Sequence, residues 1–323
     1  MATVPAIFRT LAAALMVCMS ASASGRLGPQ STVGDILRYP AFAGFSRLIL
    51  PWDDRAYDES LPLTRIGSLL PYHTQVDPEV VTGALNRMVD DATTGRTVFY
   101  RFHSEEEIEQ QPARKHTGLF FFRGRPSAPF AVIAPGGGFS YVGSVHEGFP
   151  YAEAISAKGY NAFVLKYRAG YGGTVATEDL AAALTYIVRK AAALGVSTKG
   201  YSLWGSSAGA RMAAFIGSHG AARYGGGDVS RPAAVVMAYT AHADYSTAEP
   251  PTFAVVGEQD RIAPPASMEK RIVALRKSGT AVEYRKYANL GHGFGLGKGT
   301  SADGWVFEAI RFWEEAFDLG VRK

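Results

Sequence analysis

Short apolar runs alternate with longer amphipathic segments from about residue 97 to the end of the chain. Runs rich in β-branched and aromatic residues predict strands, and segments with apolar residues three or four positions apart predict helices. The predicted strands are 97–102, 118–122, 129–134, 161–167, 201–204, 233–239, 252–256 and 282–287. The main predicted helices between and after them are 151–158, 177–193, 267–277 and 305–317. Strands that alternate with crossover helices predict an α/β fold with a mostly parallel central sheet and helices on both faces.

Residues 24–94 lack this periodicity and are rich in proline, aspartate and aromatic residues. One helix is predicted there, with Asp77 as its N-cap and Pro78 in its first turn. Apolar residues such as Leu48 and Leu69 need a surface to cover. We therefore predict an irregular N-terminal arm laid over a single domain of residues 95–323.

The first 23 residues predict an export signal, because a basic Arg9 precedes a short apolar stretch and a small-residue cleavage site ending at Ala23. The apolar stretch is too short to span a bilayer, and no later segment predicts a membrane helix. Cleavage after Ala23 would remove Cys18, the single cysteine of the chain. A lipid anchor on Cys18 is the alternative, which the bulky Val17 disfavours. The mature protein is expected to be secreted or periplasmic and free of disulfides.

Composition narrows the function classes. Hydrophobic residues make up 47% of the 323 positions and charged residues 19%, which is enough for a sizeable core and argues against disorder. The net charge of +4 is small and the basic residues are dispersed. We therefore expect no nucleic-acid partner.

The sequence Gly205-Ser206-Ser207-Ala208-Gly209 has the Gly-x-Ser-x-Gly pattern between a predicted strand and a helix-forming run. In that context the pattern predicts a nucleophile elbow, a sharp turn that exposes the Ser207 side chain. Small neighbours are required because the strained turn brings helix and strand close together. The pattern by itself is common by chance, so the assignment of Ser207 as a nucleophile depends on whether a matching acid and base follow in the chain.

A candidate acid and a candidate base follow in the chain. Glu258 and Asp260 both lie in the loop after the predicted strand 252–256, and Asp260 is favoured because it opens the turn before the next helix. His292 lies between two glycines just after the last predicted strand, as expected for a loop tip and not for a core histidine. Serine, aspartate and histidine in this order form a nucleophile, an orienting acid and a base.

The predicted strand 129–134 is followed by Pro135-Gly136-Gly137-Gly138-Phe139. Three glycines let backbone N–H groups turn toward a ligand without interference from side chains. With the Ser-Asp-His order, this loop makes residues 97–317 resemble the α/β-hydrolase superfamily. Within it, the chain is similar to secreted acetyl-xylan and feruloyl-esterase-like hydrolases, which usually have histidine in place of Pro135. The resemblance implies that an oxyanion is bound by the amides of Gly137, Gly138 and Ala208.

These residues and the resemblance together predict a serine carboxylesterase that cleaves short acyl esters, most simply acetyl groups on a carbohydrate or small molecule, through an acyl-enzyme. No metal and no cofactor are expected. Phe139 and Tyr141 are predicted to crowd the acyl side of the site, and His146 to line its entrance, so these three are candidate substrate-binding residues. A serine peptidase of the same fold and a catalytically silent binding protein are the alternatives. The oligomeric state stays open.

Overall fold

The structure is a computed structural model that describes residues 25–321, so the predicted signal peptide and Cys18 lie outside the described residues. Within residues 25–321, eight strands form one sheet: β1 (Phe99–Tyr100), β2 (Gly118–Phe122), β3 (Pro129–Ala134), β4 (Asn161–Lys166), β5 (Ser197–Ser206), β6 (Ala234–Ala238), β7 (Thr252–Gly257) and β8 (Val282–Tyr287). Their spatial order is β1-β2-β4-β3-β5-β6-β7-β8. The β1–β2 and β2–β4 pairs are antiparallel, and every other pair is parallel. The predicted, mostly parallel sheet is confirmed.

Helices follow most of the strands. The α-helices of the described residues are α1 (Val33–Arg38), α2 (Ser46–Ile49), α3 (Pro78–Thr93), α4 (Glu105–Gln110), α5 (Phe149–Ala157), α6 (Gly172–Arg189), α7 (Ala191–Leu194), α8 (Ala208–His219), α9 (Pro265–Lys277) and α10 (Trp305–Val321). The predicted helices are thus present, with ends that differ by a few residues. The first predicted strand is shorter than expected, because only Phe99 and Tyr100 pair with β2.

Side chains of the sheet alternate between two hydrophobic clusters, as the two-residue period of a strand requires. Ile133 of β3 packs in the cluster that contains residues of α3, α5 and α10, whereas its neighbour Val132 packs with residues of α6, α8 and α9. The sheet is therefore covered on both faces, and its central strands are apolar at consecutive positions because both sides are buried.

The N-terminal arm, residues 25–94 of the described chain, is more regular than predicted. It contains α1, α2, α3 and two short 3₁₀ helices, Pro40–Phe42 and Leu63–Leu69. The predicted start of α3 is confirmed, since the Asp77 side chain accepts hydrogen bonds from the first turn. Leu48 is buried and Leu69 partly buried in the same hydrophobic cluster as Ile133.

A buried lysine also joins the arm to the sheet. Lys166, at the end of β4, donates to the carbonyl oxygens of Leu50 and Pro51 at 3.1 and 3.2 Å and lies 3.1 Å from the Asp53 carboxylate. Burial lowers the pKa of the Lys166 ammonium, and the Asp53 charge opposes that shift. A fully buried ammonium is tolerable only with such partners, so the lysine fixes the arm at this point.

Because β3, β5, β6, β7 and β8 run parallel, their carboxyl ends lie at one edge of the sheet, where ligands of such folds bind. All the predicted catalytic segments follow these ends. No helix within residues 25–321 has both the length and the apolar character needed to cross a membrane.

Candidate active site

The turn between β5 and α8 carries Ser207 in a strained conformation, with φ of 50° and ψ of −114°. Non-glycine residues rarely adopt positive φ, and such strain persists only where the surrounding structure enforces it. A Cβ atom on Gly205 would collide with the backbone of Gly209, and one on Gly209 would collide with the carbonyl of Ala134. The close packing of helix on strand therefore requires both glycines, as the motif predicts.

The side chains of Ser207, His292 and Asp260 form one hydrogen-bonded chain. His292 Nε2 lies 2.9 Å from Ser207 Oγ, and His292 Nδ1 lies 2.7 Å from Asp260 Oδ2. An ionised carboxylate can only accept, so the hydrogen is on Nδ1 and Nε2 is free to accept from the serine hydroxyl. The structure therefore brings the three residues together in the arrangement that a serine nucleophile needs.

Asp260, and not Glu258, contacts the histidine. The Asp260 side chain is buried, and its other oxygen, Oδ1, accepts from the amides of Ile262 and Ala263 at 2.9 and 2.7 Å. Glu258 is exposed to solvent. The two backbone amides hold the Asp260 carboxylate in one orientation, and this fixes the oxygen that faces His292.

The glycine loop after β3 brings backbone amides to the nucleophile. Gly137, Gly138 and Phe139 all have positive φ, of 134°, 63° and 60°. In the part of the chain that the structure describes, the Gly137 and Gly138 amides donate to no protein acceptor. Ala208 is the first residue of α8, where helical amides have no partner within the helix. These amides are thus free to bind an anion.

The two aromatic residues predicted to bind substrate, Phe139 and Tyr141, differ in how deeply they are buried. Phe139 is half-buried, with its ring 6.5 Å from that of Tyr167, and its contact with substrate stays a prediction. Tyr141 is completely buried, with its ring between those of Trp52 and Tyr72, and the prediction that it contacts substrate is wrong. Tyr141 instead packs the arm against the glycine loop.

His146 is also buried, and the prediction that it lines the entrance is wrong. It lies in a π-helical turn, Ser144–Gly148, and its Nε2 is 3.0 Å from the carbonyl oxygen of Gly293. Burial, together with the neighbouring His73, lowers the pKa of His146 to about 4. His146 is therefore neutral at pH 7, and it donates from Nε2 to the loop that carries His292.

Two family models match consecutive parts of the chain. The BD-FAE model matches residues 123–230, which include the glycine loop and Ser207. The model of the prolyl oligopeptidase family matches residues 232–320, which include Asp260 and His292. Among proteins with curated descriptions, none matches this chain.

Similarity to solved structures identifies the fold of this chain. MGS-M1, an α/β-hydrolase enzyme from a Medee basin deep-sea metagenome library, is 23% identical, with a TM-score of 0.55 over 62% of this chain and 93% of its own. The protein has the α/β-hydrolase fold. The acetyl ester-xyloside bifunctional hydrolase of Caldicellulosiruptor lactoaceticus is 21% identical (TM-score 0.56; 66% of this chain, 96% of its own). The carboxylesterase Cest-2923 of Lactobacillus plantarum WCFS1 is 22% identical (TM-score 0.54; 62% and 92%).

The arm contributes residues to this candidate site that the sequence did not predict. The Tyr72 ring is 42% exposed, and a Cβ atom on Gly138 would lie 2.9 Å from its Cε2 atom. The ring stacks on Tyr141, with centroids 5.7 Å apart. Tyr72 is therefore a supported aromatic surface beside the candidate oxyanion amides. No local pattern distinguishes this tyrosine from the other aromatic residues of the arm.

Glu147 is the second unpredicted member of the site. Its carboxylate is fully buried and accepts from the Gly136 amide at 2.6 Å and from the Tyr239 hydroxyl at 2.7 Å, and it lies 2.9 Å from His73 Nε2. Burial by itself raises the pKa of Glu147, but His73 and the hydrogen bonds outweigh burial and hold that pKa at about 2. The protein thus keeps a buried negative charge directly behind its glycine loop.

Within residues 25–321, no three His, Cys, Asp or Glu side chains are grouped as metal ligands would be.

Proposed function

We propose that this α/β-hydrolase is a serine carboxylesterase that acts through an acyl-enzyme. The observation that carries the proposal is the hydrogen-bonded chain from Ser207 through His292 to Asp260. At its serine end, this series of hydrogen bonds lies next to the unpaired amides of the glycine loop. A nucleophile, a base, an orienting acid and an oxyanion site are the parts that acyl transfer requires.

In the first half of the reaction, Ser207 Oγ attacks the ester carbonyl carbon while His292 Nε2 takes the hydroxyl proton. Asp260 stabilises the imidazolium, and the amides of Gly137, Gly138 and Ala208 bind the carbonyl oxygen as it becomes negative. Collapse of the tetrahedral intermediate breaks the bond to the alkoxide, which takes the proton from His292. Removing one oxyanion donor costs about 3–4 kcal/mol of transition-state stabilisation in another hydrolase.

In the second half, a water molecule gives a proton to His292 Nε2 and its oxygen attacks the acyl carbon. The second tetrahedral intermediate then expels Ser207 Oγ, which recovers its proton from the imidazolium. The carboxylic acid leaves, and the enzyme returns to its starting state. Both halves use the same base and the same oxyanion amides, so no further group is required.

For the substrate we propose a short acyl chain, most simply acetyl, on a sugar or a similar alcohol. The ring of the arm residue Tyr72 lies against Gly138, and half-buried Phe139 is the next residue of the glycine loop. A large ring beside the oxyanion amides leaves little room for a long acyl chain. Aromatic faces also suit the apolar C–H surface of a sugar. One structural neighbour is named as an acetyl ester-xyloside bifunctional hydrolase, although at 21% identity this is an analogy. A secreted or periplasmic location, expected from the sequence, agrees with such a substrate.

A serine peptidase is the second candidate, because the prolyl oligopeptidase family model matches residues 232–320. The triad and the oxyanion amides serve ester and amide cleavage alike. A comparison of p-nitrophenyl acetate with peptide p-nitroanilides on the same preparation separates the two. We expect turnover of the ester and none of the anilides.

The test of the proposed chemistry is covalent labelling with a fluorophosphonate, followed by identification of the labelled residue. We expect label on Ser207, and complete loss of both labelling and ester turnover in Ser207→Ala. Ser206→Ala is the matched control, because the Ser206 side chain is buried and points to the Tyr151 hydroxyl. An unlabelled wild-type protein would favour a catalytically silent binding protein. An inactive Ser206→Ala together with an active Ser207→Ala would show that Ser206, and not Ser207, is the nucleophile.

A further inference from the structure

Two consecutive residues of the arm, His73 and Thr74, contact the loop that carries His292 and the Glu147 carboxylate behind the glycine loop. The Thr74 amide donates to the Gly293 carbonyl at 2.9 Å, and the Thr74 hydroxyl donates to the His292 carbonyl at 2.8 Å. One residue earlier, His73 Nε2 lies 2.9 Å from Glu147 Oε1. The arm is thus joined to the active site by polar contacts in addition to apolar packing.

His73 has a defined hydrogen-bonding role in this position. Its side chain is 2% exposed, and its Nε2 faces a carboxylate oxygen, which can only accept. Nε2 therefore carries a hydrogen and donates it to Glu147. The other ring nitrogen, Nδ1, lies 2.8 Å from the Tyr141 hydroxyl. Both polar atoms of the imidazole are used, one on each side.

Glu147 transmits this contact to the glycine loop. A Cβ atom on Gly136 would lie 2.7 Å from Glu147 Oε2 and 3.0 Å from the Cβ of Ser207, so Gly136 lies between the carboxylate and the nucleophile. The hydrogen bond from the Gly136 amide to Glu147 Oε2 fixes the residue that precedes the two oxyanion glycines. Those glycines have positive φ, a conformation that must be enforced by contacts around it.

We propose that His73 of the arm is a positioning residue for the oxyanion loop and acts through the Glu147 carboxylate. This inference rests on the proposed esterase function. The His73 hydrogen bond holds the carboxylate in the orientation that receives the Gly136 amide, and the anchored Gly136 sets the direction of the Gly137 and Gly138 amides.

Removal of the His73 donor leaves the buried carboxylate with two donors instead of three. An under-compensated buried charge is costly, and it regains partners by rotating or by admitting water. Either change moves the Gly136 amide. Oxyanion stabilisation depends on donors that are already in place, and a displacement of about 1 Å in an active site can lower the rate on the order of 100-fold.

Two substitutions of His73 separate its two contacts. The amide nitrogen of Gln reaches the place of imidazole Nε2, so His73→Gln keeps a donor to Glu147. Asn is shorter and its amide reaches only the place of Nδ1, so His73→Asn keeps the Tyr141 side and loses the Glu147 side. Both replacements are neutral and polar, which makes them a matched pair.

The measurement is hydrolysis of p-nitrophenyl acetate, with kcat expressed per site labelled by a fluorophosphonate. We expect His73→Asn to lower kcat by about 10- to 100-fold with KM changed less than about threefold, because the lost interaction acts in the transition state. We expect His73→Gln to keep kcat within about fivefold of wild type. Affinity for a trifluoromethyl ketone, whose adduct places an oxyanion in the site, should fall in parallel with kcat/KM.

A control variant tests loosening of the arm in general. Asn86 of α3 is buried and exchanges two hydrogen bonds with the backbone of Leu27, far from either catalytic loop in the chain. Asn86→Ala should lower the free energy of unfolding and leave kcat per labelled site unchanged. Equal kcat losses in Asn86→Ala and His73→Asn would overturn the proposal.

A double-mutant cycle tests the route through Glu147. If His73 acts through the carboxylate, adding His73→Asn to Glu147→Gln should lower kcat little further than Glu147→Gln alone. Additive losses would overturn this route, and equal kcat in His73→Asn, His73→Gln and wild type would overturn the positioning role. Failure of the proposed function has a different signature, since the wild-type protein would then neither take the label nor cleave esters.

Discussion

Replacing Asp260 with asparagine changes one atom in the chain of hydrogen bonds and should leave the loop intact. Asp260 Oδ1 accepts from the Ile262 and Ala263 amides, and Oδ2 faces His292 Nδ1 at 2.7 Å. In Asp260→Asn, the amide oxygen must stay with the two backbone donors, because an NH₂ group there would leave both without an acceptor. The NH₂ group therefore faces His292.

The structure thus predicts the tautomer of the variant. An NH₂ group facing Nδ1 requires that nitrogen to accept, so the hydrogen of the neutral imidazole moves to Nε2. Nε2 then donates toward Ser207 Oγ and cannot take its proton. Turning the amide over would restore the tautomer, but it leaves the Ile262 and Ala263 amides without their acceptor. For the buried Ala263 amide this costs about 1–3 kcal/mol.

The expected loss in kcat is about 10,000-fold, the effect of the same change in a related triad, and this equals about 5.4 kcal/mol at 1.36 kcal/mol per decade. Ester hydrolysis is measured per folded molecule, with thermal unfolding to check that the loop is retained. Glu258→Gln is the control, because Glu258 is exposed and does not touch the histidine. A loss below tenfold in Asp260→Asn, or a larger loss in Glu258→Gln, would refute the reasoning.

Two further predictions concern acyl length and acid stability. Each methylene that fits an apolar pocket adds about 0.8 kcal/mol, so an open acyl site would improve steadily from acetate to octanoate. We expect kcat/KM to be highest for acetate or propionate, and Tyr72→Ala to shift the optimum toward longer chains; a wild-type maximum at eight carbons or more would contradict this. The pKa of His146 is about 4 in the folded protein, below its usual value, so the unfolded state binds more protons in between and stability falls as pH drops. From pH 7 to pH 5, His146 should cost about 2 kcal/mol of unfolding free energy in urea titrations. His146→Gln should lack this share, and an unchanged pH dependence in that variant would show that His146 does not cause it.

Local sequence was sufficient for the fold and for the three triad candidates. Strand and helix periods are set by neighbours in the chain, so most elements from residue 118 onward were predicted within a few residues. The nucleophile elbow was predictable because strain at Ser207 demands small residues at Gly205 and Gly209, and a sequence records that demand directly. The acid and histidine candidates could then be chosen because each lies in a loop that directly follows a predicted strand.

Tertiary structure decided how the loops and the arm meet. The sequence offered both Glu258 and Asp260, and only the path of the loop brings Asp260 to His292. Tyr141 has the same spacing from the glycines whether it faces substrate or the arm, and burial by Trp52 and Tyr72 excludes it from the site.

The role of the arm was the least predictable feature, because its contacts join residues far apart in the chain. Thr74 and His292 contact each other although they are 218 positions apart in the sequence. His73 of the arm likewise contacts Glu147, which lies in the π-helical turn after the glycine loop. No periodicity encodes where such a segment lies, since its course depends on the surface it covers. The sequence alone therefore determined which residues are candidates for the chemistry, whereas only the tertiary structure showed which of them the arm contacts.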